Sequence, residues 1–112
     1  MNLIRIAQET FHIEAEALNR AADRLDQHFL DAIELIYNTK GKLIITGVGK
    51  SGLVGAKMAA TFASTGTSSF FLHPTEALHG DLGMISQGDT LLAIGNRSEE
   101  HTSELHHVAI SY

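Results

Sequence analysis

From Asn2 to about Ala22 the chain carries neither Gly nor Pro, and Ile4, Ala7, Phe11, Ala15, Leu18 and Ala22 recur three and four positions apart. That spacing predicts a helix with one apolar face. A second helical pattern follows, with Leu25, Phe29, Ile33, Ile36 and Tyr37 as its apolar positions, and Asn38-Thr39-Lys40-Gly41 supplies its stop. Glycine is the residue best suited to the left-handed turn that ends a helix. The period then changes. LIIT, Leu43 to Thr46, is a short apolar and β-branched run, the pattern of a strand buried on both faces.

Gly47, Gly49 and Gly52 punctuate the next stretch, and from Leu53 to about Ser64 a helix rich in small residues is expected. SSFFL, Ser68 to Leu72, reads as a second strand; Pro74 ends it and opens a short helix over TEALHGDL. DTLLAIG, Asp89 to Gly95, reads as a third strand. Strand, helix, strand, helical turn, strand is the alternation of a parallel sheet with crossover connections. The expected fold class is therefore α/β, with two helices ahead of a sheet that stops after about three strands. Open doubly wound sheets usually have about five or six. There is no internal repeat and no low-complexity segment.

The 112 residues amount to one domain at most, and 44% hydrophobic content is enough to form a core. The net charge of −5 comes with scattered Lys and Arg, which argues against nucleic acid or an anionic membrane as partner. Cysteine is absent, so disulfides and thiolate metal sites are excluded. No apolar run approaches the ~20 residues that span a bilayer. The N-terminal residues mix charge with apolar positions, unlike a secretory signal, and a cytoplasmic protein is expected.

GVGKSG, Gly47 to Gly52, carries the most chemistry. It is not the P-loop, which needs a glycine where Ile44 stands. Gly47, Gly49 and Gly52 match G-x-G-x-x-G in spacing, but the acidic residue expected about 20 positions on would fall near Ser68 to Phe71, where there is none. A strand that turns at once into a helix still gathers unpaired N–H groups and the positive end of a helix dipole at one point. Lys50 adds a full cation there and Ser51 a hydroxyl, a combination suited to a phosphate monoester. The competing reading is a tight strand–helix turn with Lys50 in solvent.

The second candidate is HPTEALHGDLGM. Glu76 and His79 are three apart on one side of a helical turn, with Asp81 just beyond, and such a pair can transfer protons. The alternative gives Glu76 a local cap or pairing and His79 a packing role. His73, His79 and Asp81 have no spacing that fixes a tetrahedral metal set, so neither metal nor cofactor is expected. His12 and His28, on the first two helices, read as surface residues.

The order GVGKSG, KMAATFASTGTSSFFLHPTEALHGDLGM, DTLLAI resembles the sugar isomerase (SIS) domain of bacterial D-arabinose 5-phosphate isomerases, from about residue 1 to Asn96. The resemblance implies a three-layer α/β sandwich around a five-stranded parallel sheet, usually assembled as a tetramer. It implies interconversion of D-ribulose 5-phosphate and D-arabinose 5-phosphate, feeding Kdo and lipopolysaccharide synthesis, with a sugar phosphate as the binding partner. Lys50 matches the lysine implicated in activity, and Gly47, Gly49, Ser51 and Gly52 the substrate-binding loop. His79 matches the histidine of HGDLGM, and Glu76 the acidic residue of HPxEAxHGD. Many members carry a CBS-domain pair after this domain; the 112 residues include none. Two alternatives remain: a SIS domain that only binds a sugar phosphate in a regulator, and a SIS isomerase acting on a hexulose phosphate. Regulators usually carry a helix-turn-helix ahead of the domain, and the N-terminal residues lack its basic recognition helix.

After the third strand the pattern departs from the family, which reads SNSGE-S-x-E. Gly95 stands where the first serine belongs, Arg97 replaces the second, Thr102 takes the glutamate's place, and only Asn96 matches. Glu99 and Glu100 are out of register. RSEEHTSEL, Arg97 to Leu105, is the translation of AGA TCG GAA GAG CAC ACG TCT GAA CTC, a common sequencing-library adapter, and the final ISY matches the same adapter's far end. Residues 1–96 are thus expected to be the N-terminal part of a SIS domain and residues 97–112 a non-native tail that has not been selected to pack against anything. A polypeptide with half of the site is expected to lack isomerase activity.

Overall fold

The computed structural model describes residues 1–78, 80–95 and 106–111. The chain divides into two compact units, Met1–Asp31 and Ala32–Tyr112. The first holds helix α1, Leu3–Asp23, and the start of helix α2, Gln27–Tyr37. Asn2 caps α1 by accepting the Arg5 N–H at 3.1 Å, and Asp26 accepts the His28 N–H at 2.9 Å at the head of α2. The ion pairs Arg5–Glu9 and Arg20–Glu16, both 3.5 Å and solvent-exposed, add little to stability. The periodicity located both helices to within two residues.

In the second unit, strand β1, Leu43–Gly47, is central. Strand β2, Ser69–Phe71, and strand β3, Thr90–Gly95, flank it, both parallel to it. Helix α3, Gly49–Ser64, connects β1 to β2, and helix α4, Pro74–Leu78, with a 3₁₀ turn at Asp81–Met84, lies between β2 and β3. This is the α/β arrangement the alternation predicts. A fourth strand, β4, His106–Ser111, runs antiparallel along β3, giving the order β2-β1-β3-β4. The sequence reading expected no strand here. β3 offers an open row of backbone donors and acceptors on that side, and the alternating β-branched Val108 and Ile110 suit a strand that fills it.

Leu43, Ile44 and Ile45 are all fully buried, so both faces of β1 are covered. Leu43 and Ile45 join Ala59, Leu92 and Ile94 in the core, with Ile36, Met58, Phe62 and Phe71 packed against it. At the amino ends of the strands, buried Asp89 accepts the backbone N–H groups of Lys42 (2.7 Å) and Ser86 (2.8 Å) and lies 3.4 Å from Lys42 Nζ. Beside it the Thr39 and Thr90 hydroxyls share a 2.6 Å hydrogen bond. These contacts tie the end of α2 and the start of β1 to the start of β3.

Two expected boundaries shift. α3 begins at Gly49 rather than Leu53, because Val48 is extended (φ −111°, ψ 147°) and the chain enters the helix directly behind it. The helix expected over TEALHGDL divides in two, because Gly80 between the parts adopts φ +111°, a left-handed conformation no α-helix accommodates.

Candidate functional site

β1, β2 and β3 are parallel, so the segments that leave their carboxyl ends emerge along one edge of the sheet. The turn Gly47–Gly52 follows β1, the segment with His73 and Glu76 follows β2, and Asn96 follows β3 in sequence. The connection from β1 runs to β2 on one side, while β3 pairs on the other. Ligands of open α/β sheets bind where neighbouring strands diverge in this way.

The turn after β1 is built by close approach. Gly47, paired in register with Ile94, is buried; a methyl group on it would lie 2.9 Å from the Ile94 carbonyl oxygen. A methyl on Gly52 would lie 2.7 Å from the Gly47 carbonyl oxygen. Gly49, at φ +60°, makes the left-handed step into α3. No side chain caps α3, and the bond from Gly52 N–H to Val48 O, 3.3 Å, is the first of the helix. The amides of Gly49, Lys50 and Ser51 therefore lack helical acceptors and face outward with the positive end of the dipole. Lys50 is exposed and forms no ion pair among the described residues; Ser51 is half-buried. Gly47, Gly49, Lys50, Ser51 and Gly52 thus sit together in one turn with the chemistry of an anion cradle.

Glu76 lies exposed in α4. The helix is started by Pro74 and by His73, whose Nδ1 accepts the Thr75 N–H at 3.2 Å. Lys50 and Glu76 form no ion pair among the described residues. His79 and Asn96 lie outside the described residues. Of the residues considered for a metal, His73 has one ring nitrogen engaged with backbone; no cluster of three metal-ligating side chains occurs among the described residues.

Sequence reasoning missed Phe71. Its ring lies under the turn: Cζ would be 3.5 Å from a methyl on Gly52, and Cε1 3.2 Å from one on Gly55. The available signal was an aromatic closing a strand two residues before His73, at the same edge as the glycine turn. The one displaced titration among the described residues belongs to Asp89, at the opposite edge. Backbone hydrogen bonds from Lys42 and Ser86 hold that carboxyl below its ordinary range, against the opposing effect of burial, and the Lys42 charge helps. A hollow of about 590 Å³ also opens at the amino ends, among Ile33, Ile36, Tyr37, Thr39 and Phe62. It offers no cation for a phosphate.

Parallel strands joined by helices, with an uncapped, glycine-built helix start at their carboxyl edge, define an open α/β domain. The SIS domain model matches residues 35–111, and the chain belongs to that family. The chain is 53% identical over 92 residues to the arabinose 5-phosphate isomerase KdsD of Salmonella typhi, covering 82% of this chain and 28% of the relative. It is 53% identical over 96 residues to KdsD of Francisella tularensis, covering 83% and 29%. Among solved structures it superposes on c3406 of E. coli CFT073, solved as a complex with arabinose 5-phosphate, with a TM-score of 0.81 and 43% identity, covering 91% of this chain and 56% of that one. The chain therefore spans less than a third of the length of these curated relatives.

Proposed function

We propose that this chain carries the phosphate-gripping part of an aldose–ketose isomerase that interconverts D-ribulose 5-phosphate and D-arabinose 5-phosphate. The observation that supports this most directly is the turn after β1, where three amides without helical acceptors, a helix dipole and Lys50 converge. The names of the relatives point to the same five-carbon sugar phosphate.

Isomerisation through an enediol removes a proton from the carbon next to a carbonyl and moves another between O1 and O2. The enediolate oxygen needs a cation or N–H donors beside it. In this reading Lys50 neutralises that oxygen and His79 shuttles the proton between the two oxygens. Gly47, Gly49, Ser51 and Gly52 hold the phosphoryl end, and Glu76 and Asn96 line the sugar. The product would feed Kdo and lipopolysaccharide synthesis. A cytoplasmic setting goes with a charged substrate that does not cross membranes.

Association of copies belongs to the same proposal. α1 buries none of its residues, and Ile4, Phe11 and Leu18 on its apolar face are each about 70% exposed. Apolar stripes of this kind are covered in an assembled protein. Calorimetric titration with arabinose 5-phosphate and fructose 6-phosphate tests the substrate class. Preference for the five-carbon ligand, lost in Lys50→Ala, is expected. Preference for fructose 6-phosphate would favour a hexulose phosphate isomerase instead.

A further inference from the structure

We propose that Phe71 and His73 are positioning residues that couple the anion-binding turn after β1 to the segment carrying Glu76. The coupling rests on the sugar-phosphate reading for its purpose but on geometry for its existence. Phe71 ends β2 and is paired with Ile45, the middle residue of β1. Its ring is packed into the core from the edge where the ligand segments emerge. One side of that ring meets the first turns of α3: a methyl on Gly52 would be 3.5 Å from Cζ, and one on Gly55 3.2 Å from Cε1. With no side chain on Gly52 or Gly55, the ring faces this part of α3 directly, so its position bears on how deep the head of α3 sits.

The same ring meets His73 edge-on, with centroids 6.4 Å apart and planes at 83°. That is the geometry in which the positive edge of one ring faces the negative face of the other. His73 in turn accepts the Thr75 N–H through Nδ1 at 3.2 Å, fixing the first turn of α4 one residue before Glu76. A series of neighbours therefore runs from Gly52, at the end of the turn, through Phe71 and His73 to Thr75, the residue before Glu76. A ligand that draws the head of α3 towards itself displaces Phe71, and with it the start of α4. Two segments well separated in sequence then respond as one.

Amide NMR of the whole chain tests this in two arms. Without ligand, Phe71→Leu is expected to shift the amides of Gly52, Gly55 and Thr75 together, and His73→Asn, which keeps an acceptor for Thr75 but not the ring, to leave Gly52 nearly unmoved. An unmoved Thr75 amide in folded Phe71→Leu overturns the coupling. With inorganic phosphate, the native chain is expected to shift Gly49 to Gly52 and also Thr75 and Glu76. His73→Ala, at an exposed position that does not endanger folding, is expected to lose the second set and keep the first. Retention of both sets in His73→Ala overturns the proposal as well. If phosphate moves none of the turn amides, the sugar-phosphate reading fails, and the ligand-free arm still decides whether the two segments are joined.

Discussion

Gly52 packs so closely on Gly47 that a single methyl group at position 52 would come within 2.7 Å of the Gly47 carbonyl oxygen. That oxygen belongs to the backbone of the central strand and cannot rotate aside. Alanine is the better helix former by about 0.8–1 kcal/mol, whereas overpacking a tight site costs about 1–3 kcal/mol. The clash wins here, and Gly52→Ala is expected to lower stability by about 1–2 kcal/mol in urea denaturation. Gly55→Ala is the control. Its methyl would meet side-chain atoms, Ile45 Cγ2 at 3.1 Å and Phe71 Cε1 at 3.2 Å, which can yield, so a change near zero is expected. Equal losses in the two variants would refute the distinction.

Lys50 separates binding from folding. It is exposed, so Lys50→Ala is expected to change stability by less than about 0.5 kcal/mol. A hydrogen bond to a charged group is worth about 1.5–3 kcal/mol, or roughly 10- to 100-fold in Kd. Calorimetry with arabinose 5-phosphate should record a loss of that size. An unchanged Kd would take Lys50 out of ligand binding and leave the phosphoryl end to the amides of the turn.

The pattern of the sequence carried most of the fold. Runs such as Ile4 to Ala22 and Leu43 to Thr46 have one period each, and each became the expected element. What the period could not show was set by backbone geometry: the extended Val48 that starts α3 early, and the left-handed Gly80 that divides the segment after β2. The glycine turn was legible because its spacing is dictated by local sterics. Phe71 was not, since its contact with Gly52 is remote in sequence and depends on how β2 pairs with β1. β4 escaped notice because its pairing is a property of the edge of β3, not of His106–Ser111 alone.

Asp89 makes the acid limb of stability predictable. Its folded pKa is depressed, chiefly by the backbone N–H groups of Lys42 and Ser86. The unfolded chain therefore takes up the proton first as pH falls. The stabilisation is complete above the ordinary carboxylate pKa and is lost progressively from about pH 5 downward, towards the lower folded value. Asp89→Asn keeps the shape but leaves one amide without an acceptor, at a cost of about 1–3 kcal/mol near neutral pH. Urea midpoints measured between pH 7 and 3 should show a lower but flatter profile for the variant. An acid limb as steep as that of the native chain would assign it to other carboxylates.

The edge of β3 gives the last prediction. β4 pairs with all six residues of β3, from Thr90↔Ser111 to Gly95↔His106. On the expectation that the tail from Arg97 is non-native, we propose that His106–Ser111 covers this edge and forms no part of the site. A chain ending at Asn96 should then keep α3 and the parallel pairings, because their packing partners all precede that point. It should also expose the unpaired row of β3, whose sequence TLLAIG carries no charge, and such an edge recruits another copy. Light scattering is expected to show concentration-dependent association of the shortened chain, with phosphate binding at the β1–α3 turn unchanged. Val108→Pro, which removes one backbone donor from β4, should give an intermediate result. A shortened chain that scatters like the full one would show that β4 does not protect the edge, and loss of phosphate binding on shortening would return residues 97–112 to the site.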